Sequence, residues 1–271
     1  MRVAVLICVY NNPDGLRRTL DSLRGEAGDF TVVVVDDGSP AAAVINAADY
    51  SFPIHLHRLP QNGGIEYASN KAAAIAHRLG AEFIARIDAG DLWVPGRLAL
   101  QLAALDADPK CVVVGCAAEA FYPNGEKAMV IRHPSGDADI RRFMHINSAF
   151  ANVTTLIRLS TVIAAGGYPI NYPAAEDYAL YWRLLRIGEG MNLDIIGTRF
   201  EYANPASISN RRYRAQQVSR LRLQLRYFDP VVKESYQGLA RSLIAILVPR
   251  KLLQRFKKIL GLRGANITAA E

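Results

Sequence analysis

The sequence predicts an α/β fold with a mainly parallel central sheet, followed by a basic helical tail. Three observations predict it. A continuously apolar, β-branched run at residues 3–9 and mainly apolar runs at 30–35 and 83–87 recur, as in strands buried on both faces. Helically spaced segments lie between them, so strand and helix alternate as crossover units. The runs end in polar residues, at Tyr10-Asn11, Asp36-Asp37 and Asp88.

In chain order, the run 3–9 stops at Asn11-Asn12-Pro13, and Leu16, Leu20 and Leu23 then keep helical spacing. A second strand, 30–35, ends in Asp36-Asp37-Gly38-Ser39, and residues 54–59 form a third. Asn62-Gly63-Gly64 is a turn, and the alanine-rich stretch 67–79 is a helix. Strand 83–87 ends at Asp88, and 111–116 reads as a further strand. Beyond residue 120 the order is less legible. Residues 152–157 read as a strand, Gly166-Gly167-Tyr168-Pro169 as a turn, and 178–186 as a helix. From residue 210 onward the pattern is mostly helical.

The 271 residues suffice for a large core. The net charge of +7 is unevenly spread: residues 211–263 hold 14 Lys/Arg and 2 Asp/Glu, leaving 18 basic and 23 acidic residues elsewhere. This shift places a boundary near 205–214, giving an α/β domain over 1–210 and a basic helical extension over 211–271. Three cysteines, Cys8, Cys111 and Cys116, are no disulfide framework, which predicts a reducing, cytoplasmic setting. The five histidines show no metal-ligand spacing, and no apolar run approaches the roughly 18 residues of a membrane span.

Ligands in open parallel sheets bind beyond the carboxyl ends of the strands. Tyr10-Asn11, Asp36-Asp37 and the stretch from Asp88 to Asp91 all fall there. Singly, each could merely turn the chain; three together predict a site. Neither G-x-G-x-x-G nor G-x-x-x-x-G-K-[ST] occurs. Carboxylates holding a divalent cation are then the expected means of handling phosphate.

The ordered set of Val9-Tyr10-Asn11, Val34-Val35-Asp36-Asp37-Gly38-Ser39, Asn62-Gly63-Gly64 with Asn70, Ala85-Arg86-Ile87-Asp88-Ala89-Gly90-Asp91 with Pro95-Gly96-Arg97-Leu98, Gly166-Gly167-Tyr168, and Glu176-Asp177-Tyr178 with Trp182-Arg183-Leu184 resembles the family 2 glycosyltransferases. These are inverting enzymes with the GT-A fold, and the resemblance extends to Ser207-Ile208-Ser209. It implies that Tyr10, Asn11, Asp36 and Asp37 cup a nucleoside, with Asp37 as the preferred contact. Asn62, Gly63 and Asn70 would lie along the nucleotide, and Arg183 would contact phosphate or pair with a carboxylate. Asp88 opens the family's Asp-x-Asp metal motif, but Gly90 stands at its third position and Asp91 follows. Mg²⁺ or Mn²⁺ is therefore expected at Asp88, with Asp91 as substitute ligand, or with phosphates and water making up the rest; the third alternative is weak metal dependence. Glu176-Asp177 resembles the base motif, with Asp177 as base and Glu176 in support. For the carboxylates at both motifs, the structural alternative is helix capping.

The implied activity is sugar transfer from a nucleotide sugar to a glycan or lipid-linked glycan, in polysaccharide biosynthesis. A nucleotidyltransferase and a nucleotide-sugar-binding subunit without turnover are the rivals. In the tail, Leu252, Leu253, Phe256, Ile259 and Leu260 make an apolar stripe accompanied by Arg250, Lys251, Arg255, Lys257 and Lys258. Residues 243–263 suit either the inner face of the plasma membrane or docking on the domain or a partner. Few aromatics and no binding motif argue against nucleic acid.

Overall fold

The computed structural model of the chain describes residues 2–202 and 211–248. A nine-stranded sheet forms its centre, in the order β3-β2-β1-β4-β8-β6-β9-β5, with β7 paired to β6. The strands are β1 (Val3–Val9), β2 (Phe30–Asp36), β3 (Ile54–Arg58), β4 (Phe83–Arg86), β5 (Leu92–Trp93), β6 (Cys111–Phe121), β7 (Lys127–Ile131), β8 (Leu156–Arg158) and β9 (Glu189–Glu201). Pairing is parallel through β3-β2-β1-β4 and again between β6 and β9. Where β8 joins β4 and β6, and where β5 and β7 join the edge, it is antiparallel.

The apolar runs become central strands because both faces are covered. Alternate residues of β1 enter two cores: Ala4, Leu6 and Cys8 on one side, Val3, Val5, Ile7 and Val9 on the other. The first core also takes Ala68, Ala72 and Ala76 of α2 (Ile65–Arg78) and Tyr178, Tyr181 and Leu184 of α6 (Glu176–Leu184). The second takes Leu16 and Leu20 of α1 (Pro13–Ser22) and Leu98 and Leu105 of α3 (Arg97–Ala107). Helices α4 (Asp137–Met144) and α5 (Leu159–Ala164) close the first face.

Two local readings change. Residues Asn152–Thr154 form a 3-10 turn, and the strand starts only at Leu156. Thr154 and Thr155 turn their hydroxyls back onto the carbonyls of Ala151 and Asn152, the local bonding by which threonine competes with a ladder. Helix α6 begins at Glu176, two residues before the expected start. Its cap is Ala175, so neither Glu176 nor Asp177 caps it. Likewise Gly96, not Asp88 or Asp91, caps α3.

The C-terminal region forms two further helices, α7 (Tyr213–Arg226) and α8 (Lys233–Leu247). Helix α7 lies on the body: Leu223 enters the first core, Gln216 and Ser219 donate to the carbonyls of Ala174 and Pro173, and Gln224 donates to Ile146. Ser207-Ile208-Ser209 and the apolar stripe 252–260 lie outside the described residues.

Candidate active site

The parallel register aligns the carboxyl ends of three strands. Val9 faces Asp36 across β1 and β2, and Leu6 faces Arg86 across β1 and β4. Beyond β1 the chain passes Tyr10, 44% exposed, and Asn11, whose φ is +51°. Among the described residues only Asn11 and Ala174 combine a side chain with positive φ. Both flank the candidate site, where strained backbone is characteristically held by its surroundings. Ser39 Oγ accepts from the Asn11 N–H at 2.8 Å, and Gln216 of α7 holds the Ala174 carbonyl at 3.1 Å.

Asp36 and Asp37 are both buried and do different work. The Asp36 carboxylate accepts from the backbone N–H groups of Ser39 and Ala43, each at 2.9 Å. Burial raises its pKa, but hydrogen bonds from Ser39 and Ala43 outweigh this and hold it below the usual range. Asp37 reaches across to the next loop, accepting from Gly63 N–H at 2.7 Å, Gly64 N–H at 3.0 Å and Asn62 Nδ2 at 3.0 Å. Burial pushes its carboxyl up. Asp37 thus ties 62–64 to the end of β2. Gly38 permits this approach: its φ is +68°, and a Cβ there would lie 2.3 Å from the Gln61 carbonyl carbon.

The loop from Asp88 to Asp91 is held from α1. Thr19 Oγ1 donates towards the carbonyls of Asp91 (2.7 Å) and Asp88 (3.3 Å) and accepts from Gly90 N–H (2.9 Å). Asn12 Nδ2 donates to the Ala89 carbonyl at 2.9 Å. The Asp88 carboxylate is half-exposed and paired with the fully buried guanidinium of Arg86 at 3.1 Å. Burial, then the charge of Asp88, pushes the Asp91 carboxyl well above the usual range, favouring its neutral form.

The base motif sits beside this loop. Asn70 of α2 grips Tyr168 with both ends of its amide, donating to its carbonyl and accepting from its N–H, each at 2.8 Å. The Tyr168 ring lies 5.8 Å from the Arg86 guanidinium carbon. Glu176 and Asp177 follow at the start of α6. Burial, then the Asp177 charge, pushes Glu176 well up. Burial is also the main cause raising Asp177 to about 6; Asp88 adds to it, while Arg86 and the Tyr178 N–H, which donates to Asp177 at 2.7 Å, oppose it. Asp88, Glu176 and Asp177 therefore feel one another's charge. Glu66 of α2 is buried between the two halves and raises both Asp37 and Glu176. Arg183 points elsewhere, donating to the Ala165 carbonyl at the end of α5 at 3.0 Å.

Thr19, Asn12 and Arg86 are site residues that the motifs did not single out. Thr19 had a signal: it occupies the apolar face of α1 between Leu16 and Leu20. So did Arg86, a lone cation inside an apolar strand. A separate cavity of about 830 Å³ lies at the opposite ends of β6 and β9, lined by Lys110, Arg141, Arg158 and Arg186 among others. Its Arg141 and Arg158 guanidinia are bound to backbone carbonyls, so it is remote from the carboxylates in both place and chemistry.

The description "Glycosyl transferase family 2" fits residues 4–164 of the chain. The chain belongs to this family. It is 26% identical to an uncharacterized glycosyltransferase of Haemophilus influenzae over 94% of this chain and 97% of that one. It is 27% identical to the amylovoran biosynthesis glycosyltransferase AmsE of Erwinia amylovora, over 68% and 70% of the two chains. A 99-residue stretch is 36% identical to the succinoglycan biosynthesis protein ExoU of Rhizobium meliloti, covering 35% and 28%. The fold is similar to S. aureus TarS 1–349, solved with UDP-GlcNAc, with a TM-score of 0.67 at 17% identity over 96% and 80% of the chains. It is also similar to the mannosyltransferase PcManGT of Pyrobaculum calidifontis with GDP-Man and Mn²⁺, with a TM-score of 0.61 at 18% identity over 96% and 80%. The glycosyltransferase is thus an α/β enzyme of the GT-A type with a helical C-terminal region.

Proposed function

We propose that this glycosyltransferase moves a sugar, with inversion, from a nucleoside diphosphate donor to a hydroxyl of a glycan or lipid-linked glycan in surface polysaccharide assembly. The observation that carries the reading is the juxtaposition of Asp88 with Glu176-Asp177, in which the Asp177 carboxyl is raised to about 6. A carboxylate poised there is still ionised at neutral pH and basic enough to take a proton. The acceptor oxygen bonds to the anomeric carbon, the bond from that carbon to the diphosphate oxygen breaks, and the hydroxyl proton passes to Asp177. Glu176, favouring its neutral form, supports the pair without adding a second charge. The polysaccharide setting is supported by the names of the amylovoran and succinoglycan relatives.

On the donor side, Tyr10, Asn11 and Asp37 cup the nucleoside, with Asn62 and Gly63 along it and Asp36 shaping the loop. Asn70 and Arg183 act in this reading through the turn they hold around Ala165 and Tyr168. A divalent cation fits the donor set in one way. Asp88 has one oxygen on Arg86 and a half-exposed carboxylate, Gly90 offers no ligand, and Asp91 favours its neutral form. Among the described residues no group of three His, Cys, Asp or Glu side chains could hold a metal. The fit is therefore a cation shared between Asp88, Asp91 when ionised, water and the donor's phosphates. Bound there, it would offset charge on the departing diphosphate.

Such an acceptor places the enzyme at the inner face of the plasma membrane, reached through residues 243–263. No described helix is long and apolar enough to cross a membrane. A panel of nucleotide sugars, scored for thermal stabilisation with and without Mn²⁺ and then for product, tests the reading. Release of nucleoside diphosphate on a glycan acceptor is expected. Pyrophosphate release would indicate a nucleotidyltransferase, and stabilisation without turnover a binding subunit.

A further inference from the structure

Helix α8 is packed inside out. The side it turns to the body is made of small or polar residues: Ser235, Gly238 and Ser242 are buried. A Cβ on Gly238 would lie 2.0 Å from the His145 carbonyl oxygen, so the helix approaches as closely as its backbone allows. Ser235 Oγ bonds His145 Nδ1 at 2.8 Å, which fixes the helix in rotation. The opposite side carries Tyr236, Leu243, Ile244 and Leu247, exposed by 55%, 45%, 52% and 77%. With Ala240 they fall at i, i+4, i+7, i+8 and i+11, a single outward stripe. Helix α7 shares part of the arrangement: it buries Gln217, Ser219 and Gln224 beside Leu223, and exposes Val218 and Leu225. A helix that needed only to be soluble would turn such residues inward.

The surroundings of the stripe are cationic. Residues 211–248 contain eight Lys/Arg and two Asp/Glu. Arg214, Arg222, Arg226, Lys233 and Arg241 are exposed, and Asp229 is the only exposed acid of these two helices and their connection. An apolar stripe rimmed by cations is complementary to an anionic lipid surface, which takes up the apolar side chains and attracts the charges. It is a poor match for the same hairpin of a second copy, or for the basic residues 249–263 of its own chain, since like charges would then be brought together.

We propose that the α7–α8 hairpin is the surface by which this glycosyltransferase docks on an anionic bilayer. The stripe of α8 enters the headgroup boundary and the exposed cations of both helices lie over it. Docking also bears on the site. Helix α7 holds residues 171–174 through Arg222 to Asn171, Ser219 to Pro173 and Gln216 to Ala174. This is the segment directly before Glu176-Asp177, so the proposed bilayer contact is hydrogen-bonded to the chain that leads into the proposed base. The inference rests on and deepens the membrane-face reading above, and takes the contact to be the described helices α7 and α8 rather than the stripe 252–260.

The test is co-sedimentation of the full chain with phosphatidylcholine vesicles, with and without phosphatidylglycerol. Wild-type protein is expected to bind only the anionic vesicles. Leu243→Asp/Ile244→Asp should weaken that binding at least about tenfold, with unchanged melting temperature and unchanged stabilisation by donor. Lys233→Glu/Arg241→Glu should weaken it too and reduce its salt dependence. Wild-type binding by the stripe variant would overturn the proposal, as would failure of the intact chain to bind. So would a dimer in light scattering that the stripe variant converts to monomer, which would assign the stripe to a second copy. Donor-induced stabilisation is scored separately, so failure of the sugar-transfer reading would be recognised on its own.

Discussion

Replacing Asp177 by Asn separates a base from a structural carboxylate. Asn keeps an oxygen to accept from the Tyr178 N–H, a bond of 2.7 Å in the wild type, and so keeps the start of α6 intact. It cannot take a proton. If Asp177 is the base, transfer falls by about 10²–10⁴-fold, while donor binding, made at Asp37 and Asp88, stays near normal. The folded-state pKa of about 6 lies above the ordinary carboxylate value, so the folded protein binds this proton more tightly than the unfolded chain does. Ionised Asp177 is therefore a destabilising charge above about pH 6, and the penalty fades as pH falls towards 4. At about 1.4 kcal/mol per unit, Asp177→Asn should stabilise the fold above pH 7 by up to about 3 kcal/mol. Contact with water screens the charge and makes that figure a ceiling.

The wild-type rate should rise with pH through an apparent pKa near 6, falling about tenfold for each unit below it. That pKa belongs to the Glu176-Asp177 pair as a whole. Released nucleoside diphosphate measured from pH 4.5 to 8.5, beside urea melts of both proteins, gives the two readouts. A folded Asp177→Asn protein that turns over normally would refute the assignment. A variant inactive but less stable at pH 8 would refute the electrostatic account of the pair.

Three further perturbations test the supports of the site. Asp88→Asn should weaken metal-dependent donor binding tenfold or more, about 1.4 kcal/mol, and Asp91→Ala should do so less; donor titration with and without Mn²⁺ decides, and the reverse order would move the ligand along the loop. Thr19→Val removes the three hydrogen bonds to the 88–91 loop at nearly constant volume, so about 2 kcal/mol of stability and part of the metal response should go together, read by urea unfolding and the same titration. Asn70→Ala strands the Tyr168 N–H and C=O, expected to cost about 2–4 kcal/mol and to lower turnover more than donor affinity; unchanged stability would show that the turn is held by other means.

The legible part of the fold is the part whose signals are local. Strand β1 is written as an unbroken apolar run, and β2 and β4 as runs interrupted only by Thr31 and Arg86, because both faces are covered, and their polar ends mark the site. Strand β9 is not legible. It bulges against β6 at three points, so buried and exposed residues fall out of strict alternation along Glu189–Glu201. In the site, Asp88 and Asp177 stand in recognisable runs of sequence. The bonds from Thr19 to the 88–91 loop span about seventy residues, and nothing local to either segment announces them. His55 and His57 share a strand and have no place in the site. The inside-out packing of α8 was also hidden, since helical spacing does not say which face meets the body.

In the proposed reading, the arrangement of charge bears on how an anionic donor would enter. Asp88, Asp91, Glu66, Glu176 and Asp177 crowd one end of the sheet, and a diphosphate approaching these carboxyl groups would be repelled. Two devices reduce the repulsion. Arg86 is buried beneath Asp88 and pairs with its charge, and burial pushes Glu176 towards its neutral form. What remains is a small negative surplus next to a half-exposed Asp88 oxygen, which favours a donor that arrives with a cation. Gly90 is consistent with this economy. Its φ of +116° is a conformation that side chains avoid, and its N–H is fixed on Thr19. An aspartate there would add strain to the loop and a further carboxylate to the cluster. The loop gains its hold on α1 with glycine at that position, and in the proposed reading a cation would fall to Asp88, Asp91 when ionised, water and the donor's phosphates.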